Sequence, residues 1–251
     1  MILLVDAGNT RVKWALAPHD AALGAWHAHG ALLHADLDGL PDAWGACDVR
    51  RVVVANVAGP LLRERLAALL PAAACVEWFA ATRERAGLVN GYRAPERLGC
   101  DRFAAAIGAR ALAPGHDVVV ATCGTATTVD AVRADGRFIG RFIGGMILPG
   151  LALMASSLAR NTAQLPQVAP GAAAPPLFGD NTDDAILSGI LSAQAGAIER
   201  AVAGHGAQAC IVSGGAAPMI APALKIRHRV VDNIVLVGLH AAALEREESR
   251  C

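Results

Sequence analysis

The chain has 251 residues, and its 22 Lys and Arg balance 22 Asp and Glu, so the formal net charge is zero. Hydrophobic residues make up 54% and charged residues 18%, which excludes an intrinsically disordered chain. The length is sufficient for one large domain or two of ordinary size. The neutral balance also argues against a broad nucleic-acid-binding surface, because such surfaces carry a basic excess.

Three uncharged stretches are long enough to span a membrane, at 142–159, 161–179 and 201–224. Glycines and prolines interrupt all three, and in the first, the most membrane-like, Pro149-Gly150 predicts a turn. The apolar run at the N-terminus has no basic lead and soon meets Asp6, so it does not predict a signal peptide. We therefore expect a cytoplasmic protein with no membrane partner.

The six cysteines are scattered, with no C-x-x-C pair and no regular spacing. In a chain without a secretory signal this distribution predicts free, mostly buried thiols. A zinc site is not expected, for the same reason.

The first half of the chain predicts strands that alternate with helices. The apolar run 2–5 predicts a buried strand that ends in a glycine turn, and a strand with alternating apolar residues follows at 11–17. The further predicted elements are strands at 51–57 and 75–79 and helices at 60–70 and about 101–112. Such alternation is typical of an α/β domain.

A second strand and glycine turn follow near the middle of the chain. Laying Asp6-x-Gly8 over Thr122-x-Gly124 gives an offset of 116 residues, close to half of the chain. We predict two α/β halves, 1–115 and 116–251, with one α/β domain whose turns match by chance as the alternative. The second half is predicted to hold strands at 117–121, 128–132, 138–148 and 209–213, a later short helix and strand, and helices at 151–160, 182–203 and through 240–247.

The turn that begins at Asp6 has the groups that are needed to bind a phosphate and a metal ion. Gly8 has no Cβ, so a phosphate can approach the backbone, while turn amides, the Thr10 hydroxyl and Lys13 supply donors. The Asp6 carboxylate suits hydrated Mg²⁺, which prefers oxygen ligands. Taken alone, the motif is more often an ordinary hairpin turn.

The turn at 124–130 offers further amides and hydroxyls at the matching position. Two such turns that face each other across a cleft would clamp a polyphosphate between the halves. Neither half carries the G-x-x-x-x-G-K-[ST] motif, which excludes a P-loop enzyme, and the dinucleotide fingerprint is missing after the first strand.

A third motif covers 91–102 and ends in Gly99-Cys100-Asp101-Arg102. It delivers Asp101 and Arg102 to the start of a helix, where Asp101 can cap the helix or act as a base. Arg102 can bind an anionic group. A helix cap with a surface arginine is the simpler interpretation of this motif alone.

Together, the motifs at 6–13, 99–102, 124–130 and 144–150 resemble, in order and spacing, those of type III pantothenate kinases. The resemblance covers nearly the whole chain and extends to 179–182 and 213–215. It implies an actin-like, sugar-kinase-type α/β fold, with two ribonuclease-H-like halves, mixed sheets and ATP in the cleft between them. The implied reaction transfers the γ-phosphate of ATP to the hydroxyl of pantothenate, the first step of coenzyme A biosynthesis.

The resemblance also implies roles for individual residues. Asp101 corresponds to the proton acceptor, and Asp6 is expected to hold Mg²⁺ through water. The residues implied to bind ATP are Asp6, Ala7, Gly8, Asn9, Thr10, Arg11, Val12, Lys13 and Thr125. Those implied to contact pantothenate are Tyr92, Gly99, Cys100, Asp101, Arg102 and Thr182. Family members are similar in being homodimers, in which Thr182 is expected to reach the neighbouring subunit's site.

The chain departs from the family pattern at Thr122, where the family usually has an Asp that helps bind K⁺ or NH₄⁺. A neutral hydroxyl is a weaker ligand for a hard cation than a carboxylate. We therefore hypothesise a weakened or altered monovalent-cation requirement.

Two other functions stay open at this point. An ATP-binding regulatory or accessory protein would keep the clamp without turnover, but Asp101 beside Arg102, together with Asp6 and Lys13, favours catalysis. Another kinase or phosphatase of the same superfamily would be expected to lack the Gly-x-Asp-Arg loop.

Overall fold

The computed structural model describes residues 1–44, 47–136, 139–169 and 175–248. Its first strands are β1 (Ile2–Ala7), β2 (Arg11–Ala17), β3 (Ala28–Leu33), β4 (Arg51–Asn56), β5 (Cys75–Phe79), β6 (Glu84–Arg85) and β7 (Leu88–Asn90). The later strands are β8 (Val118–Cys123), β9 (Ala126–Ala134), β10 (Gly140–Pro149), β11 (Ala209–Ser213) and β12 (Arg229–Val231). The α-helices are α1 (Leu40–Trp44), α2 (Pro60–Leu69), α3 (Cys100–Leu112), α4 (Leu151–Asn161), α5 (Thr182–His205), α6 (Ala217–Ile220) and α7 (Ile234–Glu248).

The same order of five strands occurs twice. One sheet runs β3-β2-β1-β4-β5, and the other runs β10-β9-β8-β11-β12 with β7 and β6 added beyond β10. β1 pairs antiparallel with β2 and parallel with β4, and β8 pairs in the same way with β9 and β11. The predicted α/β class with two mixed sheets is confirmed.

The extra strands show how the sheets divide the chain. β6 and β7 precede residue 116, yet β7 pairs parallel with β10 of the second sheet. The N-terminal part of the chain therefore contributes to both sheets. The boundary between 115 and 116 stays a prediction.

Both faces of each sheet are covered, which explains the continuous apolar runs of the central strands. In β1, Ile2 and Leu4 face the core between the sheets, while Leu3 and Val5 face a separate core under α1 and α2. In the second sheet, Val118 faces the core between the two sheets. The β8 side chains that point to the opposite side pack under α4, α5 and α6. A strand in this position must be apolar on both sides.

Helices α3 and α7 pack together between the two sheets, α7 against β1 and β4 and α3 against β8 and β9. Gly238 permits this contact, because a Cβ there would overlap the carbonyl oxygen of Ala104. Both helices begin at the same cleft, since Asp101 in the first turn of α3 and Val235 in the first turn of α7 line it. The helix layer therefore fixes the position of Asp101 relative to both sheets.

Most predicted elements are present, with ends shifted by a few residues, but several short ones were missed. Phe138, the predicted start of a strand, lies outside the described residues, and β10 begins at Gly140. The sequence did not predict β3, α1, β6 and β7, because each of these elements is short. In β3, the residues around Gly30 also show no clear alternation of apolar and polar side chains. The stretch 142–159 forms the end of β10, the predicted Pro149-Gly150 turn and most of α4.

No helix among the described residues is both long enough and apolar enough to cross a membrane. Five cysteines in the described part of the chain are free thiols, as predicted: Cys47, Cys75, Cys100, Cys123 and Cys210. The expectation that most of them are buried is wrong, because only Cys123 and Cys210 are buried and Cys75 is exposed.

Candidate active site

The two glycine turns predicted from the sequence lie against each other. In the β1–β2 turn the Gly8 N–H donates to the carbonyl oxygen of Arg11 at 3.1 Å, and in the β8–β9 turn the Gly124 N–H donates to that of Ala126 at 3.0 Å. The hydroxyl oxygens of Thr10 and Thr125 are 2.8 Å apart, within hydrogen-bond distance. The two predicted turns therefore face each other, and their use as a polyphosphate clamp stays a prediction.

A cavity of about 650 Å³ opens where these turns meet, and its volume suits a small-molecule ligand. The polar lining comes from both hairpins and from the start of α3. Its members are Asp6, Gly8, Asn9, Thr10, Arg11, Lys13, Asp101, Arg102, Thr122, Gly124, Thr125 and Thr128. The apolar lining includes Leu151, Leu153, Ala216, Met219 and Val235.

Asp6 is a buried carboxylate near the end of β1, directly across the hairpin from Lys13. Its pKa is raised to about 6, mainly by burial and further by nearby Asp101, against the Lys13 charge and a hydrogen bond from Asn233, which act to lower it. The Asn233 amide donates to Asp6 Oδ2 at 3.4 Å. A second carboxylate that raises the proton affinity of Asp6 in the same cleft favours a bound cation.

The donor set around Asp6 fits Mg²⁺ bound together with a nucleotide. The described residues contain no group of three or more His, Cys, Asp or Glu that could hold a metal by themselves. Mg²⁺ usually takes one or two carboxylates and completes its shell with water and substrate phosphates. A single accessible carboxylate beside a phosphate-binding turn meets that requirement.

Asp101 lies in the first turn of α3 and lines the cleft. The helix begins at Cys100 with Gly99 as its N-cap, so the alternative that Asp101 caps the helix is wrong. Its Oδ1 accepts a hydrogen bond from the Arg102 N–H at 2.8 Å. Burial raises the Asp101 pKa above its ordinary value, although this hydrogen bond and the Arg102 charge act in the opposite direction.

Arg102 is buried, with 6% of its surface exposed, so the alternative of a surface arginine is also wrong. Its Nε donates to both carboxylate oxygens of Asp130, at 3.2 and 3.1 Å, and its Nη2 donates to Asp130 Oδ1. Its Nη1 donates to the Tyr92 hydroxyl at 3.4 Å. Burial lowers the Arg102 pKa, but the bonds to Asp130 outweigh it and the net pKa lies above the ordinary value.

The remaining predicted residues occupy different positions around the cleft. Ala7 and Val12 are fully buried in the first hairpin and are not among the described residues that line the cleft. The Cys100 thiol donates to the carbonyl oxygen of Asn56 at 3.6 Å, and burial raises its pKa to about 11. Thr182 is exposed at the start of α5, apart from the described residues that line this cleft.

Two polar residues near the site were missed from the sequence. Asn233 bridges Asp6 and helix α7, because its Oδ1 also accepts the Leu236 N–H at 3.1 Å. His34 Nε2 donates to the carbonyl oxygen of Gly8 at 2.9 Å and supports the first turn. Asn233 lies between a strand and a helix, where asparagine commonly caps the helix. This position was the only local indication of its role in the sequence.

Residues 2–204 match the family model described as type III pantothenate kinase. The chain belongs to the type III pantothenate kinase family. It is 55% identical over 256 residues to the type III pantothenate kinase of Herminiimonas arsenicoxydans, covering 97% of this chain and 98% of the relative. The type III pantothenate kinase of Janthinobacterium sp. (strain Marseille) is 53% identical over 259 residues, with 98% of each chain covered.

The enzyme is thus a kinase that phosphorylates pantothenate in coenzyme A biosynthesis and uses ATP with a divalent cation, as predicted. The accessory-protein alternative receives no support from the family match. The fold is similar to that of the (R)-2-hydroxyglutaryl-CoA dehydratase component A of Acidaminococcus fermentans, with a TM-score of 0.55, 12% identity, and 100% and 99% of the two chains covered. At this identity the likeness concerns the fold alone, which is the predicted actin-like, sugar-kinase type.

Proposed function

We propose that Asp101 accepts the proton of the pantothenate hydroxyl while the hydroxyl oxygen attacks the γ-phosphorus of ATP. The observation that carries the proposal is a half-buried carboxylate of raised pKa in the same cleft as the two glycine turns. The new oxygen–phosphorus bond forms as the bond to the bridging oxygen of ADP breaks, and the proton moves to Asp101. A raised pKa makes an ionised carboxylate a better proton acceptor.

The first hairpin turn is proposed to hold the ATP phosphates. Backbone amides from 7–12, the side chains of Asn9, Thr10 and Arg11, and the Lys13 ammonium supply donors, and Thr125 adds one from the facing turn. Phosphoryl transfer depends mainly on positioning and charge neutralisation, which such a cradle supplies. Mg²⁺ when bound at Asp6, directly or through water, would neutralise phosphate charge.

Arg102 is proposed to bind the carboxylate of pantothenate, with Tyr92 beside it. The Arg102 side chain lines the cleft next to Asp101, so a substrate whose carboxylate meets Arg102 places the rest of its chain along the same wall. Guanidinium groups suit carboxylates because two parallel N–H groups can bond two oxygens. Gly99 and Cys100 support this end of the site through the backbone that leads into α3.

Activity of the purified enzyme with an Asp101→Asn variant tests the central role. We expect kcat to fall by about 10²- to 10⁴-fold, the usual contribution of a positioned general base, with the Kd for ATP unchanged. Asp20→Asn is the matched control, because Asp20 is exposed and does not line the cleft. A fully active Asp101→Asn enzyme would refute the role of Asp101.

We propose a reduced requirement for a monovalent cation. Thr122 occupies the position in β8 that Asp6 occupies in β1. Its Oγ1 is buried, with no hydrogen-bond partner in the described part of the chain. Rates measured in Na⁺, K⁺ and NH₄⁺ buffers at equal ionic strength should agree within about twofold, since a lone hydroxyl is a weak cation ligand. Strong, saturable activation by K⁺ would contradict the proposal.

We also propose that the enzyme is a homodimer whose partner subunit supplies Thr182. Large apolar side chains are exposed near the start of α5 and the end of β10, among them Phe178, of which 88% is exposed, Leu177 and Ile147. Ser188 on α5 donates to the carbonyl oxygen of Leu177 at 2.5 Å, which keeps these segments together. Exposed apolar clusters of this kind are typical of subunit interfaces.

Subunit mixing tests the placement of Thr182. Asp101→Asn and Thr182→Arg subunits are each expected to be impaired, but a mixed dimer would contain one site with both native residues if Thr182 acts across the interface. Recovery of activity on mixing is therefore expected, with dimer mass checked by light scattering. A monomeric enzyme, or dimers that mix without recovery, would refute this arrangement.

Cytoplasmic location and the absence of nucleic-acid and membrane partners stay predictions of the sequence.

A further inference from the structure

The charge partner of Arg102 is a residue for which the reaction chemistry assigns no role. Asp130 lies on β9, one of the central strands, with 1% of its surface exposed. It accepts from both Nε and Nη2 of Arg102, so one edge of the guanidinium is fully occupied. Burial raises the Asp130 pKa to about 6, whereas the bonds from Arg102 lower it, and the carboxylate is ionised at neutral pH.

Aromatic rings confine the same guanidinium from other sides. The Arg102 Cζ lies 5.8 Å from the ring centres of both Tyr92 and Phe142. These rings meet edge to face, with centres 5.9 Å apart and planes at 69°. The group is therefore restrained by an ion pair along one edge, by ring contacts, and by the Tyr92 hydroxyl at Nη1.

Gly145 provides the space in which the ion pair forms. It lies directly opposite Asp130 in the β9–β10 register. A Cβ at this position would overlap Asp130 Oδ1 and lie 2.8 Å from Arg102 Nη2. The same Cβ would lie 2.6 Å from the carbonyl oxygen of Val129. A side chain on Gly145 would therefore crowd both the backbone of β9 and the charged pair, and the glycine leaves room for each of them.

An arginine that binds a substrate carboxylate must present its free N–H groups at a fixed position. A long, flexible side chain does this only if another group holds it. The carboxylate along the Nε edge and the single long bond from Nη1 to the Tyr92 hydroxyl leave further N–H groups of Arg102 for a ligand. The Arg102 side chain lines the cleft, while Asp130 is absent from the cleft lining among the described residues. Asp130 can therefore act on a ligand through Arg102 but does not contact it.

We propose that Asp130 is a positioning residue for pantothenate, holding the Arg102 guanidinium in the orientation that receives the substrate carboxylate, in space left by Gly145. The inference rests on the proposed contact between Arg102 and pantothenate. It assigns Asp130 to the acceptor substrate and not to ATP. A residue with a merely structural role would change the fraction of folded enzyme, and with it the apparent kcat, without raising either KM.

Steady-state kinetics with each substrate varied separately give the first test. Asp130→Asn should raise KM for pantothenate by about 10- to 100-fold, because small misplacements of a binding group can cost up to this much, while KM for ATP stays within about twofold. Glu77→Gln is the control, since it removes one charge from a partly buried ion-pair group outside the cleft, in which Glu77 pairs with Arg85 at 2.8 Å and Arg51 at 3.3 Å. That control should lower the thermal midpoint and leave both KM values unchanged.

A double-mutant cycle separates this inference from the proposal on which it rests. If Asp130 acts through Arg102, Arg102→Gln combined with Asp130→Asn should have the same pantothenate KM as Arg102→Gln alone, within about twofold. Additive effects, or an equal rise of KM for ATP, would overturn the positioning role while leaving the Arg102 contact intact. An unchanged pantothenate KM in Arg102→Gln would overturn both, and the role of Asp101 would still stand.

Two measurements keep the inference testable if Asp130→Asn does not fold. Gly145→Ala retains both charges but crowds them, and it should show the same selective rise in pantothenate KM. In the wild-type enzyme, the Arg102 Nε–H proton should exchange slowly with solvent, and it should stay protected when pantothenate is added while the Nη protons shift. The resonance is assigned by its loss in Arg102→Lys. Fast exchange of Nε–H, or Nη protons that ignore pantothenate, would overturn the inference.

Discussion

The first and second hairpins share one backbone plan and differ in chemistry. In each, a six-residue strand ends in a glycine turn, pairs antiparallel with the next strand, and places a polar residue second from its end. That residue is Asp6 in the first hairpin, opposite Lys13, and Thr122 in the second, opposite Thr128. A repeated fold therefore supplies two facing turns, but only the first has a carboxylate and an ammonium group directly opposite each other.

Substitution of Asp6 should have the largest effect. Asp6→Asn removes the buried carboxylate proposed to hold Mg²⁺, and we expect kcat/KM for ATP to fall by about 10²- to 10³-fold, as when a charge-stabilising group is lost from an active site. Thr122→Val, the equivalent change in the second hairpin, should cost less than about threefold. Similar losses in the two variants would contradict this difference between the hairpins and show that both contribute equally.

The pH dependence should report the carboxylates of the cleft. Asp101 must be ionised to accept a proton, and burial raises its pKa, so protonation begins at a higher pH than for an exposed carboxyl. We expect kcat/KM for pantothenate to fall about tenfold per pH unit below that raised pKa. Protonation of Asp6, whose pKa is about 6, contributes to the same fall of kcat/KM at acidic pH. A profile flat down to the pKa of an exposed aspartate would contradict both assignments.

The contact between the turns should have a moderate effect. Thr10→Val and Thr125→Val each remove one hydroxyl of the 2.8 Å pair. We expect each to lower kcat/KM for ATP by about fivefold, the equivalent of one hydrogen bond near 1 kcal/mol. The double variant should lose little more, since the residues share one contact. Independent, multiplying losses would indicate that each hydroxyl contacts the nucleotide separately.

The smallest expected effect is a gain. Thr122→Asp restores a carboxylate to the second hairpin, and we expect activation by K⁺ of about two- to fivefold where the native enzyme shows almost none, since a carboxylate is the stronger ligand for a hard cation. Thr122→Asn is the matched control without charge. Equal K⁺ responses in Thr122→Asp and the native enzyme would mean that residue 122 does not set the cation requirement.

The sequence supports the local features of the site well. A glycine turn after a buried strand is encoded within ten residues, so both hairpins and the start of α3 were predicted near their observed positions. Asp101 was identified by its family motif, although its second suggested use, as a helix cap, was wrong because Gly99 precedes the helix. Neighbouring residues suffice for such features, since turn and helix ends are set by local backbone preferences.

Other features depend on contacts between distant parts of the chain. Arg102 and Asp130 are 28 residues apart, and Asp6 and Asn233 are 227 apart, so neither pair has a local signal. The addition of β7 to the second sheet likewise depends on pairing with β10, about fifty residues away.

The sequence by itself determined the α/β class, the repeated hairpins, the family and the candidate base. Only the tertiary structure decided that Arg102 is buried against Asp130, that Gly145 leaves room for that pair, and that Thr182 lies apart from its own cleft. The physical reason is that strands and turns follow from short-range backbone and apolar patterns. The orientation of a buried charged side chain depends instead on which distant group offsets the free-energy cost of burying it.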